Sequence, residues 1–373
     1  MTARIKVMQL QQKYYVRETD LHEEIVKGLP RSEFEVSSVY MRDRPKSDEL
    51  ESVSEHIKYF GFSAKQMKGL RIQAKKSLLQ YSSNEQFDVM ISHRFKPLDL
   101  MLKLNRKLNI PRCINVVHGF GDFDRFYRRA TLRRYLDEKW RFVAVSNPVK
   151  GYLLDLKCGF NEGNVRVIKN AIDIDKAVTG LLSKAEARAR LGLAENDYVF
   201  GTIGRLVKVK GHTYLLKSFA ETLKASPNAK LVIIGEGGLD EELAKEIDQL
   251  GISEAVVMAG HIESAYQLMP AFDVFVLSSL EEGLPLTILE AMAAKLPIVA
   301  TDVGGVKGVI EGLGEVVEPK APQLFASKMI MLSELSKDQR QQKGELMFKR
   351  LLEHHSIEGY RDSYRKLIDG SDW

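Results

Sequence analysis

Short apolar segments alternate with longer amphipathic ones along nearly the whole chain, and this alternation limits the fold more than any other feature. In the first half, the apolar runs predict buried strands at Ile5–Leu10, Phe34–Tyr40, Val89–Ser92, Cys113–His118 and Phe142–Ser146. In the second half, they predict strands at Tyr198–Ile203, Lys230–Gly235, Ala255–Ala259, Val274–Ser278 and Ile298–Thr301. The segments between them are typical of helices, for example Gly211–Ala225, Leu239–Leu250 and Pro285–Ala294. Strands that alternate with helices predict an α/β protein with parallel sheets covered by helices on both faces.

The length of the chain and the position of the strands predict two domains. A chain of 373 residues is about twice the size of a typical domain, and the pattern restarts after the apolar run Val165–Ile168. We expect Rossmann-like domains over residues 1–170 and 171–356, followed by a last helix within 357–373. Ser183–Glu186 has the spacing of a capping box, so a helix should begin there. Because doubly wound domains bind ligands beyond the carboxyl ends of their strands, we expect the two domains to face a cleft.

Composition excludes several classes of protein. The two cysteines, Cys113 and Cys158, are too few for a disulfide framework or a four-ligand zinc site. A reducing compartment is therefore expected. No run of about 20 apolar residues is available to span a bilayer, and the first residues lack the apolar core of a signal peptide. These features predict a cytoplasmic protein.

Charge is distributed unevenly along the chain, although the net charge is only +5. Residues 1–175 carry 32 Lys and Arg against 22 Asp and Glu, whereas the remainder carries 23 against 28. The basic half favours an anionic partner, such as nucleic acid, acidic lipid headgroups or a phosphorylated glycan. Solvated helix faces explain any single basic cluster equally well. No nucleic-acid-binding motif accompanies the charges, so nucleic acid is not expected as a partner.

The first motif that suggests chemistry follows the strand Tyr198–Ile203. Gly204 at the strand end lets a ligand approach the backbone closely. Arg205 and Lys210 follow within one loop, and a planar guanidinium with a compact ammonium suits a diphosphate. An ordinary loop with exposed basic residues is the alternative. The stretch is not a P-loop, because the Gly-Lys-Ser/Thr ending is missing after Gly211.

The second motif follows the strand Val274–Ser278 and opens a helix near Pro285. The backbone N–H groups of Leu286 and Thr287 would point out of the helix N-terminus, where phosphate is favoured. Gly283 and Glu282 lie just before the helix, and Glu290 lies inside it among apolar residues. Paired carboxylates can accept hydrogen bonds from sugar hydroxyls, whereas capping and surface acids are the alternative. An acid inside an apolar helix favours function, because unpaired burial is costly.

Three further strand ends carry weaker signals. The loop Thr301–Val306 contains two glycines, which suit either a ligand-binding loop or a plain turn. His118 ends another strand, and a lone histidine is more often structural than catalytic. Val143–Asn147 ends with two small polar residues, which helix capping explains as well as binding does.

Taken together, these motifs resemble the retaining glycosyltransferases of family 4. The resemblance rests on Gly204–Gly211, the Glu282 and Glu290 pair, Thr301–Gly305, Val143–Asn147 and Asn170–Asp173, which is similar to the family's Asn-Gly-Val-Asp linker. It is dense over about residues 140–310. It implies the GT-B fold, with the acceptor bound by the first domain and a nucleotide-diphosphate sugar by the second. It also implies that the last helix returns to the first domain, and that no metal and no cofactor is needed.

The resemblance also implies a role for each candidate residue. Arg205 and Lys210 would neutralise the departing diphosphate, and Glu290 would bind the ribose hydroxyls. Glu282 would bind a hydroxyl of the transferred sugar, and His118 would lie over its reactive face. Backbone groups of Gly204, Gly283, Leu286 and Thr287 would contact phosphate or sugar, and Ile262 would contact the base, with UDP the commonest carrier. The acceptor would be a glycan or a lipid-linked glycan in lipopolysaccharide or other surface-polysaccharide assembly, with peripheral contact to the anionic inner face of the cytoplasmic membrane.

The chain departs from the family pattern in the first loop. Family members usually carry a glycine pair there, whereas this loop reads Gln11–Glu18 and contains Lys13 and Arg17, whose cations could replace lost phosphate contacts. The departure leaves two alternatives open. One is a nucleotide-sugar-binding subunit with impaired catalysis, and the other is an epimerase or phosphorylase on the same architecture.

Overall fold

The structure is a computed structural model that describes residues 3–14, 16, 20–46 and 49–373. The chain divides into two compact units, one comprising the residues up to Asn170 together with Ile357–Trp373 and the other comprising Ala171–Ser356. Each unit is built around one parallel sheet covered by helices. The fold is therefore an α/β fold with two Rossmann-like units, as the strand–helix alternation predicted.

The first unit contains a seven-stranded sheet in the order β3-β2-β1-β4-β5-β6-β7, with every pairing parallel. Its strands are β1 (Ile5–Gln11), β2 (Phe34–Tyr40), β3 (His56–Tyr59), β4 (Val89–His93), β5 (Arg112–Val117), β6 (Trp140–Ala144) and β7 (Val165–Val167). The helices between them are α1 (Leu21–Lys27), α2 (Ile72–Glu85), α3 (Phe95–Leu108), α4 (Phe126–Tyr135) and α5 (Asn147–Asp155). Helices on both faces bury the central strands, which explains why β4 is buried at every position.

The second unit contains a six-stranded parallel sheet in the order β10-β9-β8-β11-β12-β13. Its strands are β8 (Tyr198–Ile203), β9 (Ala229–Ile234), β10 (Val256–Gly260), β11 (Val274–Leu277), β12 (Ile298–Thr301) and β13 (Glu315–Val317). Its helices are α6 (Ile174–Thr179), α7 (Lys184–Arg190), α8 (His212–Ala225), α9 (Asp240–Gln249), α10 (Leu286–Ala293), α11 (Val306–Ile310), α12 (Pro322–Ser333) and α13 (Lys337–His354). Short 3₁₀ turns lie at Lys208–Lys210, Ser253–Ala255 and Ala265–Ala271. Because the strands are parallel, all their carboxyl ends lie along one edge of the sheet.

Most predicted strands are present within one or two residues of their predicted bounds, and three short strands were not predicted. β3 alternates exposed and partly buried residues at the sheet edge, so it lacks the apolar run that identified the others. β13 has only three residues, and β7 lies in the run Val165–Ile168, which served only to mark the domain boundary. The predicted capping box is present, with the Ser183 side chain accepting from the backbone of Glu186.

The last helix, α14 (Ile357–Asp369), packs in the first unit against α1. Nε of Arg361 donates to the Glu24 carboxylate at 2.9 Å, and the hydroxyl of Tyr360 donates to the carbonyl of Leu21 at 3.3 Å. A Cβ at Gly28 would collide with Arg361, so the two helices approach closely. In the part of the chain that the structure describes, a search for helices able to cross a bilayer finds none.

Candidate functional site

Three loops pack together at the carboxyl edge of the second sheet, after β8, β11 and β12. Gly211 has a φ of +66°, and a Cβ there would collide with the carbonyl oxygen of Ser278. Gly304 has a φ of +52°, and a Cβ there would collide with the carbonyl oxygen of Glu282. The N–H of the next residue donates to the carbonyl of Gly283 at 2.8 Å. Both glycines are therefore required by positive φ and by close approach, and they bring the predicted motifs into one place.

Lys210 and Glu282 form an ion pair between two of these loops. Nζ of Lys210 lies 2.6 Å from Oε1 of Glu282, and the hydroxyl of Ser279 donates to the same oxygen at 2.6 Å. The two charged side chains are 16% and 11% exposed. The pair holds an ammonium at the strand ends without burying an uncompensated charge. An arriving phosphate would share this ammonium with Glu282.

Arg205 is exposed, and among the described residues only its backbone forms a hydrogen bond. Nε2 of His212 lies 3.2 Å from the Arg205 carbonyl, which fixes the loop against the start of α8. Burial lowers the pKa of His212 to about 4, so its ring is neutral and donates to that carbonyl. An exposed guanidinium with no side-chain partner among the described residues is available to an anionic ligand.

The N-terminus of α10 follows the same loop as Glu282. Pro285 is the N-cap residue rather than part of the first turn, and no side chain in the described parts of the chain caps the helix. The first N–H groups, including those of Leu286 and Thr287, therefore have no intrahelical acceptor. The buried hydroxyl of Thr287 also has no hydrogen-bond partner among the described residues. Uncapped N–H groups beside Gly283 suit an anion.

Glu290 lies one turn further along α10 and is partly buried. No residue that the structure describes forms a hydrogen bond or an ion pair with its carboxylate. Burial alone raises its pKa from 4.5 to about 7. A carboxyl group without a partner in an apolar helix is costly once ionised, and it accepts strongly from any donor that reaches it. The sequence analysis identified Glu290 for this reason, as an acidic residue inside an apolar helix.

The loops after β9 and β10 continue the same edge. The N–H of Gly235 donates to the carbonyl of Gly260 at 2.8 Å, and Gly235 lies against the carbonyl of Gly204. Ile262 follows β10 and is partly buried. A Cβ at Gly204 would lie 3.8 Å from the side chain of Lys210, so this glycine adjoins the ion pair. Of the predicted residues of the second domain, the structure brings Gly204, Lys210 and Glu282 into one cluster.

In the first unit, His118 is not a lone histidine. It follows β5 directly and lies beside His93, the last residue of β4, and His22 of α1. Nδ1 of His93 is 3.3 Å from Nε2 of His118, and the rings of His22 and His93 have centroids 4.0 Å apart. Burial holds the pKa of both His93 and His118 well below the ordinary value. The sequence offered one signal for His93, since it stands at the carboxyl end of a buried apolar run, as His118 does.

Other predictions for the first unit have different outcomes. Ser146 is the N-cap of α5 and accepts from the N–H of Val149, so its capping interpretation is the one observed. Lys13 is exposed, with Nζ 3.9 Å from the Asp43 carboxylate. Arg17 lies outside the described residues, so its predicted contact with phosphate stays a prediction.

Both halves of the chain match known families. Residues 23–176 match the family described as Glycosyltransferase Family 4, and residues 183–345 match Glycosyl transferases group 1. Glycosyltransferase family models therefore match the chain over most of its length. The family assignment that the motifs suggested is therefore confirmed.

Relatives among characterised and uncharacterised proteins include several glycosyltransferases. The chain is 33% identical to an uncharacterized glycosyltransferase of Methanocaldococcus jannaschii over 38% of this chain and 34% of that protein. It is 25% identical to an Escherichia coli UDP-Gal:α-D-GlcNAc-diphosphoundecaprenol α-1,3-galactosyltransferase over 74% of each. The match spans only about a third of the length of the first two curated relatives.

Solved structures share the fold over nearly the whole chain. Anabaena HepE, solved in complex with UDP, superposes with a TM-score of 0.82 at 19% identity, covering 98% of this chain and 100% of HepE. A glycosyltransferase from Rickettsia africae gives a TM-score of 0.81 at 17% identity, covering 98% of each. At such identities the likeness establishes the GT-B fold.

Proposed function

We propose that this protein transfers a sugar from a nucleotide-diphosphate sugar, with UDP as the carrier, to a glycan or lipid-linked acceptor. The observation that carries the proposal is the carboxylate of Glu290, which lies beside an uncapped helix N-terminus and has no partner among the described residues. A ribose offers two neighbouring hydroxyl donors to such an acceptor, and the helix terminus offers N–H groups to the attached phosphates. HepE, which shares the fold, was solved with UDP and with UDP-glucose.

The cations at the same edge suit the chemistry of the departing diphosphate. As the bond from the sugar to the phosphate breaks, negative charge grows on the leaving oxygen. Arg205, Lys210 and the N–H groups of Leu286 and Thr287 supply positive potential for that charge without moving far. This arrangement needs no carboxylate base, because the leaving phosphate can take the proton of the acceptor hydroxyl.

Retention of the anomeric configuration is part of the proposal. A double displacement requires a free carboxylate at the anomeric carbon. The carboxylate of Glu282 instead forms an ion pair with Lys210 and accepts a hydrogen bond from Ser279. We therefore assign Glu282 to binding a hydroxyl of the sugar rather than to nucleophilic attack. Reaction on one face of the sugar, with phosphate and acceptor on the same side, then gives retention.

The acceptor is proposed to be bound by the first unit, at an anionic membrane surface. Exposed aromatic side chains and basic side chains share α4, with Phe126 78% exposed and Tyr127 46% exposed. Basic helices with exposed aromatic residues bind anionic interfaces. Two relatives are named for acceptors carried on undecaprenol diphosphate, and assembly of lipopolysaccharide or another surface polysaccharide is the proposed setting.

Vesicle sedimentation tests the membrane part of the proposal separately. Vesicles that contain anionic phospholipid should sediment the protein, and Arg133→Glu with Arg134→Glu should release it, since both side chains are exposed on α4. Neutral vesicles are the control. Equal sedimentation by neutral and anionic vesicles would contradict a charge-driven surface.

Sugar transfer is tested with purified protein, a panel of UDP-sugars and polyprenyl-diphosphate glycan acceptors. Product formation and the anomeric configuration are read by mass spectrometry and by proton NMR. Glu290→Gln and Lys210→Ala should reduce transfer strongly, whereas Glu281→Gln, which changes an exposed neighbouring carboxylate, should not. Inverted product would contradict the retaining mechanism. Tight UDP-sugar binding without transfer to any acceptor would favour the binding-subunit alternative.

A further inference from the structure

Three histidines in the first unit bring one ring nitrogen each to within 4.8 Å of the other two. They come from separate elements: His22 from α1, His93 from the end of β4, and His118 from the residue after β5. Because β4 and β5 are neighbouring parallel strands, their carboxyl ends place His93 and His118 side by side. α1 then brings His22 over both, with ring centroids 4.0 Å and 5.3 Å from them.

We propose that His22, His93 and His118 form a binding site for Zn²⁺, and that occupancy of this site stops sugar transfer by withdrawing His118. The second half of this statement rests on the proposed function and on the role that the family resemblance implies for His118, over the reactive face of the transferred sugar. The first half rests on the geometry of the three rings alone.

The spacing of the nitrogens fits zinc. Two ligands that each lie about 2.0–2.1 Å from an ion at a tetrahedral angle are about 3.3 Å apart. Nδ1 of His93 and Nε2 of His118 are separated by 3.3 Å, which is long for a hydrogen bond with nitrogen as donor. His22 is the adjustable member, because its side chain is 23% exposed. Three imidazoles with a water in the fourth position make an open tetrahedral site.

The hydrogen bonding around the rings leaves them available as ligands. Nε2 of His22 is buried and has no hydrogen-bond partner among the residues that the structure describes. The ligand nitrogens of the other two rings, Nδ1 of His93 and Nε2 of His118, face each other. Oδ1 of Asp20 lies 2.6 Å from Nδ1 of His22. A carboxylate at this position orients a zinc-bound imidazole and raises its basicity.

The donor set also selects the metal. Imidazole nitrogens suit Zn²⁺, Cu²⁺ and Ni²⁺, whereas Mg²⁺ and Ca²⁺ require oxygen ligands. The positive charge of Arg94 is felt at both His93 and His118 and opposes a cation, while the carboxylate of Asp20 offsets it. The site should therefore bind Zn²⁺ and remain indifferent to Mg²⁺.

Equilibrium dialysis of the metal-free full chain against Zn²⁺, with metal counted by mass spectrometry, tests the site without donor or acceptor. The expected result is one Zn²⁺ per chain, with no competition from millimolar Mg²⁺. His22→Ala should weaken Zn²⁺ binding by more than about 100-fold, since loss of an outer partner alone costs about 10–100-fold. Co²⁺ should give the visible absorption of a tetrahedral nitrogen site in the wild type and lose it in His22→Ala.

His354→Ala is the matched control, because His354 is exposed and lies in the second unit. Circular dichroism would establish that His22→Ala is folded. Equal Zn²⁺ binding by the wild type and His22→Ala, or no stoichiometric binding, would overturn the site even if the protein proves not to transfer sugar. In the transfer assay, the Zn²⁺ concentration that inhibits should rise in His22→Ala by the same factor as its dissociation constant. Full Zn²⁺ occupancy with undiminished transfer would overturn the inhibitory role.

Discussion

Replacing Glu290 with glutamine is expected to stabilise the folded protein while weakening donor binding. Burial raises the pKa of this carboxyl from 4.5 to about 7. A carboxyl group whose pKa is higher in the folded state binds its proton more tightly there, so stability is lost as the pH rises from the unfolded pKa through the folded one. Glutamine has nearly the same shape and no charge, so the variant avoids this loss.

The size of the effect follows from the pKa difference. A pKa difference of about one unit between the folded and unfolded states corresponds to about 1.4 kcal/mol of folding free energy. Ionisation of Glu290 therefore lowers the free energy of unfolding by at most about 3 kcal/mol at pH 8, and by less than about 1 kcal/mol at pH 5. Glu290→Gln should therefore raise the free energy of unfolding by up to that amount at pH 8 and very little at pH 5.

Urea unfolding of wild type and Glu290→Gln at both pH values measures this difference, with Glu281→Gln as the exposed control. Calorimetric titration with a UDP-sugar measures donor affinity. The variant should lose about 10–100-fold in affinity, since hydrogen bonds to a charged group contribute about 1.5–3 kcal/mol. A Glu290→Gln variant that is less stable than wild type at pH 8, or equally tight for donor, would refute the reasoning.

Three further outcomes follow from the same edge of the sheet. Lys210→Ala should lower kcat about 10²–10³-fold, as loss of a transition-state charge contact does, while Lys208→Ala in the same turn should leave it near wild type. Gly304→Ala should destabilise the second unit by at least about 1–3 kcal/mol, measured by urea unfolding, because its Cβ would overlap a carbonyl oxygen at positive φ. UDP-sugar affinity should fall as the pH falls below about 7, where Glu290 gains a proton. A UDP-sugar is used as the ligand because the terminal phosphate of UDP would itself titrate at about pH 6. A UDP-sugar affinity that stays constant from about pH 8 to about pH 6 would contradict the assignment of Glu290.

Much of the fold could be predicted from the sequence because parallel strands buried on both faces appear as continuous apolar runs. β2, β8 and β12 have the predicted bounds, and the predicted boundary after residue 170 is also where the two units divide. Edge strands lack this signal. β3 has the sequence His-Ile-Lys-Tyr and is partly solvated, so neither length nor hydropathy distinguished it from a loop.

The candidate site was predictable where a residue's chemistry does not suit its local structure, as with a charged residue inside an apolar helix. An acid inside the apolar helix α10 had no structural explanation, and Glu290 has no partner among the described residues. Pairings over long distances in sequence were not predictable. The ion pair between Lys210 and Glu282 joins loops 72 residues apart, and each residue was assigned to a separate ligand. The grouping of His118 with His22 and His93 likewise depends on strand order, which a single sequence does not specify.

A crystal structure with UDP tests the central claim most directly. The account predicts that the ribose hydroxyls lie within hydrogen-bond distance of the Glu290 carboxylate, and that the diphosphate contacts Nζ of Lys210 and the N–H groups at the start of α10. UDP bound away from the carboxyl edge of the second sheet, or at that edge with Glu290 unbonded, would contradict the account.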